Sequence, residues 1–112
     1  MSELSVKEFQ KEVESALKTN ALPFRIQIII QSPRSFKANF HLYDDVFIAV
    51  RYNTRNARMD FALIQNQERI FGFDNLKEWH YHPFENPEQH ILCEQPAIEQ
   101  IIAQIKSVLN KL

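Results

Sequence analysis

From Phe24 onward, apolar and polar positions alternate with a period of two. Phe24, Ile26, Ile28 and Ile30 form one row against Arg25, Gln27, Ile29 and Gln31. This is the pattern of a strand with one face turned to a core. Ser32 to Ser35 supplies a turn, and Phe36, Ala38, Phe40 and Leu42 resume the alternation against Lys37, Asn39, His41 and Tyr43. Asp44-Asp45 breaks it. Val46, Ile48, Val50 and Tyr52 restart it, and after the turn at Asn53 to Asn56 the next inward row is Met59, Phe61 and Leu63. Asn66-Gln67 leads into a fifth strand, Arg69 to Phe73. Short strands joined by short turns predict an antiparallel meander of about five strands.

The period is helical at both ends. Ser5-Val-Lys-Glu8 has the form of a capping box, and Phe9, Val13, Ala16 and Leu17 recur three and four residues apart until Lys18-Thr-Asn20. Pro96 suits the first turn of a second helix, whose Ile98, Ile101, Ile102, Ile105, Val108, Leu109 and Leu112 make a wide apolar stripe. That stripe is core, or core plus a dimer seam if it is wider than the sheet can cover. Between strand and helix, Asp74 to Gln95 reads as a loop with a short extended piece at Trp79 to His82. The expected fold is α+β: one domain over residues 1–112, with both helices on the face made by Phe24, Ile26, Ile28, Phe36, Phe40, Ile48, Val50, Phe61 and Leu63.

Composition narrows the function classes. A single glycine leaves no phosphate-cradling loop, so Rossmann and P-loop readings fail. Thirteen basic and fourteen acidic residues give a net charge of −1, so any nucleic-acid surface must be local. Cys93 is the sole cysteine, which excludes an internal disulfide and fits a reducing compartment. The N-terminal stretch from Ser2 to Glu8 is polar, unlike a signal peptide, and no apolar run approaches a membrane span. The expected location is the cytoplasm, with no membrane association.

Candidate chemistry gathers in the loop. His80 and His82, two residues apart on an extended segment, project to one side, and His90 follows with Asp74 near in sequence. Imidazoles titrate near neutral pH, so two of them can serve as acid and base. An arginine would stabilise charge developing on a phosphate during metal-independent cleavage through a 2′-hydroxyl. Arg51 and Arg58 are the candidates, if the loop folds over their strands. The expected catalytic set is His80, His82, Arg51 and His90, with no cofactor. A divalent ion on His80, His82 and His90 is the metal alternative. The structural alternative is a loop anchored by Trp79, Tyr81 and Phe84, whose histidines bond to backbone carbonyls. The sheet's outward face carries Arg25, Lys37, Tyr43 and Arg58 as candidates for RNA or partner binding, or as an ordinary solvated surface.

Ile70-Phe-Gly-Phe-Asp-Asn75, followed by Trp79-His-Tyr-His-Pro83, His90 and a terminal amphipathic helix, resembles the TumE-like family of small prokaryotic toxins. The matching positions are Phe73, Asp74, Asn75, His80, His82, Pro83 and His90, while Glu88-Gln89-His90 keeps the last residue of the family's closing His-x-His. The resemblance implies the toxin half of a toxin–antitoxin pair, with an antitoxin as protein partner and RNA as the expected target. The other reading is a non-catalytic binding or regulatory module, which could also be a homodimer.

Overall fold

The computed structural model describes residues 4–112, so the first residues of the polar N-terminal stretch lie outside it. Helix α1 (Val6–Thr19) is followed by strands β1 (Arg25–Gln31), β2 (Ser35–Tyr43), β3 (Val46–Asn53), β4 (Arg58–Gln65) and β5 (Glu68–Asp74). Then come β6 (His80–His82), β7 (Ile91–Leu92) and helix α2 (Ile98–Leu109). All strands pair antiparallel with their sequence neighbours in one sheet of order β1-β2-β3-β4-β5-β6-β7. The α+β class and the flanking helices agree with the sequence reading. The strand count does not: the sheet has seven strands rather than about five. Of the two extra strands, β6 falls in the piece expected to be extended, Trp79 to His82, whereas the two residues of β7 lie in the segment read as loop and are too few to show an alternation.

Local chemistry accounts for the elements. Ser5 Oγ accepts from the Glu8 amide at 3.1 Å, and the Glu8 carboxylate accepts from the Ser5 amide at 2.9 Å, closing the capping box of α1. Helix α2 is capped at Ala97, which puts Pro96 one residue outside the helix rather than in its first turn. The β4–β5 hairpin turns on Asn66 and Gln67 with φ of 51° and 67°, the positive pair of a type I′ turn. With glycine so scarce, Asp45 and Ala57 take the left-handed position in the β2–β3 and β3–β4 turns.

Both helices cover one face of the sheet. Phe9, Val13 and Leu17 of α1 and Ile101, Ile102 and Ile105 of α2 are buried against Phe36, Ala38, Phe40, Ile48, Val50, Tyr52, Phe61 and Leu63. The α2 stripe is spent on this core as far as Leu109, and Leu112 lies exposed beyond the helix. Strand β1 departs from its expected row. A register shift between Ile28 and Ile30 breaks the alternation on this edge strand, whose last residue, Gln31, still donates to Gln10 of α1. Ile28, Ile29 and Ile30 are 40%, 46% and 47% exposed, where Ile28 and Ile30 were expected to face inward.

Candidate functional site

The sheet register builds the site on the face opposite the helices. Phe73 and Tyr81 pair across β5 and β6 and pack on the core side. Their neighbours Asp74, His80 and His82 therefore point to the open face. Asp74 pairs with His80 across the ladder. One cross-strand row thus runs Lys37, Arg51, Asp60, Asp74, His80, one residue from each of five adjacent strands. Beside it runs Asn39, Ala49, Ala62, Gly72, His82. A Cβ on Gly72 would lie 2.7 Å from the Phe61 carbonyl oxygen, so β5 packs against β4 here with no room for a side chain.

Asn75 fixes the end of β5. Its Oδ1 accepts from the Met59 amide at 2.8 Å and its Nδ2 donates to the Ala57 carbonyl at 2.9 Å. Asp74 Oδ1 accepts from the Leu76 amide at 3.0 Å, turning the chain toward β6. The second oxygen, Oδ2, receives both histidines: His80 Nε2 is 3.2 Å away and His82 Nε2 3.0 Å away. The opposite nitrogens meet backbone carbonyls, His80 Nδ1 with Glu78 O and His82 Nδ1 with Pro87 O, each at 2.9 Å. Two turns, closed by the Asn86 and Gln89 amides on the Pro83 and Asn86 carbonyls, bring the chain back. His90 then lies parallel to the His80 ring at 4.7 Å and edge-on to His82 at 4.5 Å.

The burial is graded. Asp74, His80 and His82 are 6%, 7% and 2% exposed, whereas His90 is exposed. Burial acts to raise the Asp74 carboxyl, but the Leu76 amide, the His82 bond and the proximity of His80 and His82 outweigh it and hold the group below the usual carboxylate range. Asp60 goes the other way. Its own burial and the nearby Asp74 push its carboxyl up, against the pull of Arg58, Arg51 and Arg69.

The expected site residues therefore divide into groups. His80, His82 and His90 converge, and one ligand atom from each lies within 4.8 Å of the others. Arg51 stands on the same face, two strands from Asp74, or on the order of 10 Å along the row. Lys37 lies one strand further, and Arg58 joins this face through a 3.5 Å ion pair with Asp60. Arg25, paired with His41, shares this face but stands away from the histidines, and like Tyr43 it lies beside a cavity of about 430 Å³ that Phe24 and Asp45 also line. The carbonyl bonds of the structural alternative are present too, with Trp79, Tyr81 and Phe84 packed against the core. Asp60 and the Asn75 clamp went unread in the sequence, because their partners are set by the β3–β4–β5 register.

No helix among the described residues is long and apolar enough to cross a membrane. Neither a protein-family model, nor a curated protein, nor a solved structure matches the chain.

Proposed function

We propose that this chain is an RNA-directed effector, the toxin component of a toxin–antitoxin pair, with the open sheet face as its working surface. The observation that carries the reading is the convergence of His80, His82, His90 and Asp74 at one end of a row that also holds Arg51 and Lys37. The cations meet the phosphates of a strand laid along the row, and the histidine end meets one phosphodiester. Cleavage through the 2′-hydroxyl needs one group to take its proton and another to protonate the departing 5′-oxygen. A cation must also stabilise the charged intermediate. Arg51 suits the last role. His90 is the ring already at the surface, whereas His80 or His82 must release Asp74 Oδ2 before exchanging a proton with substrate. The resemblance to the TumE-like family, carried mainly by residues 70–112, points the same way.

The test is induced expression of wild type, Arg51→Ala and His90→Ala, followed by growth and total-RNA integrity. Wild type is expected to arrest growth and degrade RNA. Arg51→Ala and His90→Ala are surface changes and should relieve both effects while keeping the native circular dichroism. Undisturbed growth with intact RNA for wild type at confirmed soluble expression would refute the reading.

A second reading, a non-catalytic binding module, is favoured by β1. This edge strand exposes Ile28, Ile29 and Ile30 and leaves one side of its backbone without a strand partner among the described residues. Gln27-Ile-Ile-Ile-Gln31 reads the same in both directions, so an antiparallel second copy centred on Ile29 would oppose Ile to Ile and Gln to Gln. This reading expects a dimer in sedimentation that Ile29→Lys converts to a monomer. A monomeric wild type at high concentration would dispose of it.

A further inference from the structure

Protein groups alone give the cluster no comfortable arrangement of protons. A backbone carbonyl has no hydrogen to give, so Nδ1 of His80 and of His82, each 2.9 Å from a carbonyl oxygen, must carry the proton. In the neutral rings both Nε2 atoms are then lone pairs, and both face the same Asp74 Oδ2 at 3.2 and 3.0 Å. Lone pair against carboxylate is repulsive. One added proton relieves one contact and leaves the other. Two added protons place two imidazolium rings, 7% and 2% exposed, on a single carboxylate oxygen, leaving an unbalanced buried positive charge. A divalent cation among the three atoms relieves both contacts at once, with coordinate bonds in place of hydrogen bonds.

The spacing fits such an ion. Metal–ligand bonds of about 2.0–2.1 Å set neighbouring corners of a tetrahedron about 3.3 Å apart. The two nitrogen–oxygen distances are 3.2 and 3.0 Å. His90 closes the set, since one ligand atom from each of the three histidines lies within 4.8 Å of the others. For the same tetrahedral spacing the exposed His90 ring has up to about 1.5 Å to cover, which a side-chain rotation spans. The carbonyl bonds at Nδ1 are the outer contacts that orient a metal-binding histidine and fix its tautomer.

We propose that His80, His82, His90 and Asp74 bind one divalent transition ion of the zinc class. Nε2 of His80, Nε2 of His82 and Asp74 Oδ2 are three of its ligands, and His90 is the fourth. Three imidazoles and one carboxylate select zinc or cobalt over magnesium and calcium, which take oxygen ligands. The inference stands on the geometry of this cluster alone and replaces proton exchange at His80, His82 and His90 by ligation, and its test involves no RNA.

The full chain, freed of metal with a chelator, is titrated calorimetrically with Zn²⁺ and separately with Mg²⁺, while Co²⁺ binding is followed by visible absorption. One Zn²⁺ per chain, a tetrahedral cobalt spectrum and no saturable Mg²⁺ binding are expected. His90→Ala, which spares the core, should weaken Zn²⁺ binding by at least about ten-fold, the lower end of what loss of an outer contact alone does. His41→Ala, at the fourth histidine, should not change it. A chelated chain that unfolds and refolds on Zn²⁺ also supports the site. Folded protein that takes up no zinc, unfolded protein that zinc does not restore, or unchanged affinity in His90→Ala overturns the proposal. Stoichiometric zinc in a chain that leaves RNA intact would remove the RNA reading and keep the metal site.

Discussion

Asp74→Ala is expected to lower the unfolding free energy by about 3–5 kcal/mol, the cost of removing one partner from a buried ionic arrangement. The carboxylate is 6% exposed, and its Oδ2 is the shared partner of two rings that are themselves nearly inaccessible to water. Alanine would leave both Nε2 atoms facing a dry space too polar to collapse, and would free the Leu76 amide as well. Asp74→Asn tests whether charge or packing matters. Its amide retains the volume, its Nδ2 offers hydrogens to the two Nε2 lone pairs and its Oδ1 keeps the Leu76 amide, so the loss should be smaller than for Asp74→Ala, under about 3 kcal/mol. Urea unfolding of the three proteins at neutral pH measures both values. A loss under about 1 kcal/mol for Asp74→Ala would mean that Asp74 does not hold the two rings in solution.

That one carboxylate governs the cluster was only half legible in the sequence. The shared side of His80 and His82 follows from their spacing, because alternation on an extended segment is local. Their meeting with Asp74 depends on the pairing of β5 with β6, a non-local register that a three-residue strand is too short to announce. His90 arrives through two turns that Pro83 and Asn86-Pro87 mark in the sequence, but where those turns return the chain is not a local matter. The same logic sorts the sheet. Phe36, Ala38 and Phe40, like Val46, Ile48, Val50 and Tyr52, sit on central strands under helices, where period two maps directly onto burial. Ile28 to Ile30 carry as strong an apolar signal, yet they lie on an edge strand with a register shift and stay 40–47% exposed. Hydrophobicity recorded the residue type there, not the cover. Arg51 shows both halves of the problem. Its outward direction was readable, but its place in a row with Asp60, Asp74 and His80 came from three successive registers.

Phe9→Ala should cost a comparable 3–5 kcal/mol, but by a different route and on the other face of the sheet. Phe9 is fully buried and stacks on Tyr52 with ring centroids 4.5 Å apart. It also meets Phe36 and Phe61 at 5.9 and 5.8 Å, so one ring from α1 joins β2, β3 and β4. Truncation removes the burial of a whole aromatic side chain and leaves a cavity that three large rings cannot fill without moving backbone. For a domain of this size the melting temperature should fall by on the order of 10–20 °C, which calorimetry reads directly. None of the bonds that orient Asp74, His80, His82 or His90 passes through Phe9. At a temperature where the variant is still folded, its zinc affinity should therefore match wild type, whereas Asp74→Ala loses stability and zinc together. Equal zinc affinity in both variants would place the metal elsewhere. A Phe9→Ala protein that stays folded but loses zinc would show that the open face takes its geometry from the helix layer beneath it.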